Sequence, residues 1–360
     1  MKAVIFAGGV GTRMWPVSRT QTPKQFEPLI KNQSTIEVFY HQMSKYFPTQ
    51  NIYISTNSQY LPLLKKRLPK FPITNIILEP ARRDLGPAVG YVGFLLNRIS
   101  PTEPVAILWS DDIFKKPNNL YHVFDIANEY LQSDPNKYLY IGEKPLFPDQ
   151  NKGWIHFGKP VSYFDGITIC EYLDWHYRPP LALTKKYFTS GKYAVNTGDF
   201  VTTPQHIVNL YQKLAPEMSK QLNLLTNTWM TPKFKTTLNK IYPKLEKISH
   251  DDLIATNTTS NDALVIVADT GWYGFGDWEA IKQALQESPD DVITHGKVIH
   301  RNSKNCIIYN YTPKLLACID QKDQIIVATK DVTMTCPFSS IPEIKKLLKD
   351  FEGTEYEKYT

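Results

Sequence analysis

The first apolar run, residues 3–7, is unbroken and ends in glycines at 8, 9 and 11. A run of this length closed by glycine reads as a strand buried on both faces. The pattern then alternates. Residues 35–47 place Ile36, Phe39, Tyr40 and Met43 at helical spacing, 51–55 (NIYIS) reads as a strand, and 59–68 as a helix. A strand over 75–78, a helix over 87–99 and a strand over 105–109 continue the series. Strands and helices in short alternation predict a parallel, doubly wound sheet. Ligands of such sheets sit just beyond the carboxyl ends of the strands. Functional residues are therefore expected at 8–13, 79–84 and 110–112, all of them charged or glycine-rich.

From 138 to 269 the pattern is less regular and reads as mixed α/β. Gly153 falls in a loop-like stretch; strands are expected at 167–173, 193–202 and 265–268 and helices at 179–188 and 277–285. Two or three helices between 204 and 242 read as a lid or cap. At Ser288-Pro289-Asp290 the texture changes. Short apolar runs alternate with polar turns over 291–337, the pattern of short strands. A final helix over 341–351 follows, with Ile341, Ile344, Leu347, Leu348 and Phe351 on one face. Two domains are expected, 1–288 and 289–360. The second carries no catalytic cluster and reads as a packing or dimerisation module, so a homodimer through it is the expected assembly. No strong internal repeat is evident.

Composition narrows the picture without changing it. The 360 residues, 42% of them hydrophobic, suffice for one large α/β domain and a smaller one. The net charge of +6 is dispersed, with no basic tail. It suits an anionic small molecule rather than a nucleic acid. The four cysteines lack C-x-x-C spacing and read as free thiols of a reducing cytosol. No apolar run approaches a membrane span, and the run before the glycines is too short for a signal peptide. A soluble, cytoplasmic protein is expected.

The cations Arg13, Arg19 and Lys24 follow the glycine turn. Bare backbone N–H groups and nearby cations make a phosphate site. The turn is not a P-loop, because no Gly-Lys-Ser/Thr follows, and it lacks the third glycine of a dinucleotide fingerprint. The longer pattern is more specific. Gly11-Thr12-Arg13, Trp15-Pro16, Ser18-Arg19 and Pro23-Lys24-Gln25-Phe26 occur in fixed order. Together they resemble the signature of sugar-1-phosphate nucleotidyltransferases, in particular the mannose-1-phosphate guanylyltransferase (GDP-mannose pyrophosphorylase) branch. The resemblance implies an α/β fold, a Rossmann-like doubly wound mixed sheet, with a small C-terminal β-rich domain ending in a helix. It also implies Mg²⁺-dependent nucleotidyl transfer from GTP to mannose 1-phosphate, giving GDP-mannose and pyrophosphate. The same chemistry on another sugar phosphate or nucleotide is one alternative. A catalytically weak homologue that binds nucleotide sugar and regulates a partner is another.

Joining two polyanions demands positioning and charge neutralisation. Gly8, Gly9, Gly11 and Thr12 form the expected cradle, within the stretch 8–12. By the resemblance, Arg13 clamps the β- and γ-phosphates, and Lys24 reaches the place where donor and sugar phosphate meet. Asp111, after the strand 105–109, is the expected Mg²⁺ ligand. It lies in Trp109-Ser110-Asp111-Asp112, where the family usually has Pro-Ser-Asp-His. The segment from Glu79 through Asp84 and Pro87 to Ala88 resembles the family's stretch beside the base. Glu79 or Asp84 would accept the N1–H and N2–H₂ donors of guanine. For the sugar phosphate the resemblance points to Gly153, Arg178 and Asn196, while Tyr177 stands where the family has a carboxylate. Trp272-Tyr273-Gly274 departs further, because Gly274 occupies the position of a second metal-binding Asp. Asp112, Asp269 and Asp277 are the acids available to replace it, with Asp277 also expected to cap a helix.

Overall fold

The computed structural model describes residues 1–9, 11–164 and 167–360. At its centre is a mixed sheet of nine strands. In spatial order they are Ile76–Glu79, Ile52–Asn57, Lys2–Phe6, Val105–Trp109, Tyr193–Thr202, Tyr138–Glu143, Ala263–Ala268, Ile167–Tyr177 and Gly153–Phe164. The first four run parallel, as the alternating pattern predicts. Tyr193–Thr202 then enters antiparallel beside Val105–Trp109. Parallel order is therefore interrupted next to the strand that carries Asp111, and loops reach that point from two directions.

Lys2–Phe6 shows why the sheet has two cores. Its side chains alternate, so Val4 and Phe6 pack on one face while Ala3 and Ile5 pack on the other. The first face is covered by helices Leu85–Ile99, Pro204–Leu214 and Pro216–Thr226, the second by Thr35–Met43 and Pro117–Ser133.

Two readings of the middle and end of the chain need correction. Gly153 is not in a loop. It begins the twelve-residue strand Gly153–Phe164, paired antiparallel with Ile167–Tyr177. Gly158 and Pro160 break the alternation that would have revealed it. Proline is tolerated because only the first residues of this strand have a second neighbour, Tyr193 to Asn196, and because the register shifts along the hairpin.

The second correction concerns repeats. Val292–His295, Cys306–Asn310 and Gln324–Ala328 stack in parallel, with Thr333–Pro337 antiparallel at the end; Val298–Arg301 and Leu316–Ile319 form a second parallel pair. Paired residues such as Val298 with Leu316 and Ile307 with Ile325 lie 18 positions apart. The chain is coiled, with a spacing of 14 residues at the first rung (Val292 with Cys306) and 18 at the later ones. Asn302, Asn305, Asp320 and Asp323 turn its corners at positive φ, a conformation that Asn and Asp tolerate. Asn305 Nδ2 donates to Asp323 Oδ1 at 2.6 Å, linking successive corners.

This C-terminal coil and the helix Ile341–Asp350 share a core with the segment after the glycine turn. Met14, Trp15, Val17 and Leu29 pack with Trp278, Ile281, Ile307, Tyr309 and Ile341. Tyr309 and Tyr311 donate their hydroxyls to the carbonyls of Leu29 and Pro28, at 2.8 and 3.1 Å. Trp278 Nε1 donates to Trp15 O at 3.2 Å, and Trp15 Nε1 to Tyr359 O at 2.8 Å.

Candidate active site

A cavity of about 840 Å³ opens beyond the carboxyl ends of Lys2–Phe6, Ile76–Glu79 and Val105–Trp109. All three expected places line it, through Gly8, Gly9, Gly11, Thr12 and Arg13, through Glu79 and Asp84, and through Ser110, Asp111 and Asp112. Lys24 lines it as well. Val10, inside the expected cradle, lies outside the described residues. The opposite wall comes from Lys152, Thr197, Gly198, Trp272, Gly274 and Gly276, and a capping segment contributes Lys247, His250 and Asp251; the helices over 204–242, expected as a lid, instead pack on one face of the sheet.

On the phosphate side, local chemistry explains the glycine. Gly11 has φ 70°, and a Cβ there would stand 2.6 Å from Lys24 Cδ. A bare Cα lets Lys24 pass beneath the turn. Its ammonium is buried and donates to Asp111 Oδ2 at 2.5 Å and to Phe275 O at 2.6 Å. Phe275 N in turn donates to Asp111 O at 2.7 Å. One side chain thus joins the glycine turn, the end of Val105–Trp109 and the loop after Trp272–Gly274. Arg13 Nη1 pairs with Asp277 Oδ2 at 3.0 Å. Asp277 also caps helix Trp278–Leu285 by accepting from Ala280 N at 3.0 Å. Arg19 points away and grips Asp331 of the C-terminal coil at 2.6 and 2.7 Å, which holds that carboxyl down at about 2.

Near the cap, Glu79 is fully engaged. Its oxygens accept from Ser55 Oγ at 3.0 Å and Tyr242 OH at 2.8 Å, and burial pushes its pKa up. Asp84 stands exposed at φ 66°, accepting from Leu85 N at 2.9 Å. Pro87 is buried in the first turn of Leu85–Ile99, and Ala88 rather than Pro87 lines the cavity. Two donors that sequence reasoning missed belong to residues lining the same space. Gln25 Nε2 and Arg83 Nε are buried and have no hydrogen-bond partner among the described residues. Asp251 on the cap is pushed up to about 6 by burial, then by Asp252 and Asp84.

Gly153, Arg178 and Asn196 are not among the residues that line the cavity. Gly153 and Asn196 pair with each other across their strands, and Asn196 Oδ1 accepts from Gly198 N at 3.0 Å. Arg178 lies over the Tyr177 ring, 5.3 Å from its centroid. Lys152, Thr197 and Gly198 take the wall instead. Lys152 Nζ sits 4.5 Å over the Trp272 ring, and burial lowers its pKa. The available signal was the lysine standing where the resembling motif has an aromatic.

Beside Asp111 lie two further acids. Asp112 is 3% exposed and Asp199 fully buried. Asp199 Oδ1 accepts from Trp109 N at 3.3 Å, and the buried Asp112 and Asp199 carboxyls and the Trp272 indole lie close enough to interact, although no well-formed hydrogen bond joins them among the described residues. Burial raises the pKa of both acids well above the usual range; charge on Asp199 and Asp111 adds to the effect at Asp112, and charge on Asp111 at Asp199. Asp269, by contrast, is half-exposed and paired with Lys116. Among the described residues no group of three or more His, Cys, Asp or Glu side chains is arranged to hold a metal ion. Asp111, which lines the cavity, nevertheless fits a hard cation that takes one carboxylate and completes its shell with phosphate and water.

Glycine backbone, two cations and the carboxylates paired with them meet at one edge of the cavity. At this edge of a parallel sheet, they define the class of nucleotide-handling α/β transferases. The family model described as nucleotidyl transferase matches residues 2–291, and the chain belongs to that family. A mannose-1-phosphate guanylyltransferase of Escherichia coli is 26% identical over 364 residues, covering 99% of this chain and 75% of that relative. One from Salmonella montevideo is 25% identical over 354 residues, covering 96% and 73%. A crystal structure from Thermus thermophilus, described as a mannose-1-phosphate geranyltransferase, superposes with a TM-score of 0.84 at 20% identity. It covers 98% of this chain and 99% of that one, and it shows the shared fold. Among the described residues no helix is long and apolar enough to cross a membrane.

Proposed function

We propose that the chain transfers the guanylyl group of GTP to mannose 1-phosphate, giving GDP-mannose and pyrophosphate, with Mg²⁺ as its ion. The observation that carries the chemistry is Lys24, whose stem passes beneath the glycine turn and whose ammonium donates to Asp111. The curated relatives support the choice of substrates. A phosphate oxygen of the sugar attacks the α-phosphorus in line, and the bond to pyrophosphate breaks. The glycine N–H groups bind phosphate oxygens. Arg13 exchanges Asp277 for the β- and γ-phosphates, and Lys24 steadies the charge that builds between donor and acceptor. Asp111 would hold Mg²⁺, which when bound neutralises phosphate charge. Gln25 and Arg83 line the base side, and Asp84 is the exposed carboxylate available for the N1–H and N2–H₂ donors of guanine. With Gly153, Arg178 and Asn196 off the wall, Lys152 takes the sugar-phosphate side.

The same reading places the protein in the cytoplasm with small-molecule partners, and with neither nucleic acid nor membrane. It includes a homodimer through the C-terminal coil, where Ile299 and Ile319 stand 57% and 61% exposed on paired strands. A coupled pyrophosphate-release assay across four nucleoside triphosphates and several sugar 1-phosphates tests the activity. GTP with mannose 1-phosphate is expected to give the highest kcat/KM. A higher value for another pair reassigns the substrates, and no release at any Mg²⁺ concentration identifies a regulatory homologue. Light scattering in solution checks the dimer.

A further inference from the structure

Lys24 and Arg13 each hold a carboxylate, but Lys152 does not. It lines the same cavity and is half-buried, and among the described residues its ammonium makes neither a hydrogen bond nor an ion pair. Its contact is the face of the Trp272 indole, 4.5 Å from Nζ to the ring centroid. The charges of Asp149, Asp277, Asp112 and Arg13 reach it only from a distance. A cation drawn out of water onto an aromatic face recovers only part of its lost hydration, and it stays able to bind an anion directly. Burial lowers its pKa, and an anion beside it would favour the charged form again.

The ring has its place because of a glycine. Trp272 and Gly274 lie two apart on the strand Trp272–Gly274 and therefore share a face of it. A Cβ on Gly274 would stand 2.9 Å from Trp272 Cζ2 and 3.4 Å from Cη2. The first separation is well inside carbon–carbon contact, so a side chain there would push the indole away. Gly274 is not at positive φ, so its backbone does not itself require glycine. The bare Cα lets the indole lie back along the strand, under the ammonium of Lys152. Lys152 O accepts from Arg178 N at 3.2 Å, which fixes the backbone from which the lysine leaves.

We propose that Lys152, Trp272 and Gly274 act as one unit, an ammonium on an indole platform that receives the phosphate of the sugar 1-phosphate. The inference rests on the nucleotidyl-transfer reading and deepens it by naming what holds the acceptor. The glycine turn, Arg13 and Lys24 serve the triphosphate on one wall, and Lys152 stands on the other. Each of the two polyanions then meets a cation of its own as they are brought together. Lys152 touches substrate; Trp272 and Gly274 are positioning residues. The rival role for Lys152 is a structural cation that only balances Asp277 and Asp112.

Calorimetric titration of the full chain decides, with Mg²⁺ present and one substrate at a time so that nothing turns over. Lys152→Met removes the charge and keeps most of the side chain's length. It should weaken mannose 1-phosphate by roughly tenfold to a hundredfold, the scale of one charged hydrogen bond, and GTP by less than about threefold. Without ligand it should melt no lower than wild type, since the ammonium had no partner to lose. Equal weakening of both substrates, or a lower Tm with unchanged affinity for mannose 1-phosphate, establishes the structural cation and overturns the proposal. Gly274→Ala keeps the test open if Lys152→Met does not fold. By displacing the indole it should weaken mannose 1-phosphate more than GTP, and wild-type affinity for both overturns the platform. If wild type prefers another sugar 1-phosphate, the same loss is expected with that one, because Lys152 holds the phosphate and not the sugar. A wild type that binds GTP but no sugar 1-phosphate overturns the inference and leaves the nucleotide half of the reading intact. Reassigned substrates therefore leave the role of Lys152 standing, and an unaffected Lys152→Met leaves nucleotidyl transfer standing.

Discussion

The two walls of the cavity are charged in different ways. On the wall of the glycine turn each of the two cations already holds a carboxylate, Lys24 with Asp111 and Arg13 with Asp277. Behind Asp111, the buried acids Asp112 and Asp199 have pKa values raised well above the ordinary range, chiefly by burial. A paired wall is rigid before substrate arrives and must exchange partners to work. A raised pKa favours the neutral acid, so the second pair adds little charge to the site. The two carboxylates that meet the cations also fix the cations' positions, so preorganisation and neutrality come from the same contacts.

The largest expected effect breaks the paired wall. Lys24→Ala should lower turnover by roughly 10²–10³, the scale for one preorganised electrostatic contact. Near-normal steady-state turnover in a folded variant would remove Lys24 from the chemistry. Next comes the base. Asp84→Asn should reduce discrimination for guanine by about 1–3 kcal/mol, whereas Glu79→Gln should leave the nucleotide ranking intact, because Ser55 and Tyr242 already occupy Glu79. Ranked kcat/KM values decide, and a relaxed ranking in Glu79→Gln alone would reverse the assignment.

A smaller effect tests how the wall is assembled. Asp277→Ala removes a helix cap and should cost about 1 kcal/mol in urea unfolding. It also releases Arg13, so the nucleotide KM should fall; a rise would mean that Asp277 positions Arg13 rather than competes for it. The smallest concerns the cap. Asp251 titrates near 6 in the folded chain, above its ordinary 3.8. A raised folded pKa means that stability is full at acid pH and declines as pH rises through about 6. Asp251→Asn should match wild type near pH 4 and melt higher at pH 7. Equal melting temperatures at both values would show that the group is solvated.

What the sequence disclosed follows from range. The parallel half was legible because each strand and helix declares its period locally, and the loop-end rule then placed Gly8, Glu79 and Asp111 at one edge. Asp199 and Lys152 were not placed, because their wall depends on an antiparallel strand inserted from almost 90 residues beyond its neighbour, Tyr193–Thr202 beside Val105–Trp109. The hairpin beginning at Gly153 was hidden by its own glycine and proline. The C-terminal coil was hidden because its rungs share corner conformation rather than residue identity, Asn302 answering Asp320 and Asn305 answering Asp323.

The contacts that hold Trp15 have a consequence in time. Trp15 lies just past the glycine turn, yet its indole binds Tyr359 and its carbonyl binds Trp278. At the roughly 5–20 residues per second of synthesis, about a quarter to one minute separates the emergence of Trp15 from that of the partners that fix it. The first strand and its turn are made early and finished last. During that interval Met14, Trp15 and Val17 lack the core they later share with the C-terminal coil, and a nascent chain stopped before residue 272 has neither Phe275 to accept from Lys24 nor Asp277 to hold Arg13. The wall that holds Lys24 and Arg13 therefore reaches its final set of contacts only after most of the chain has been made.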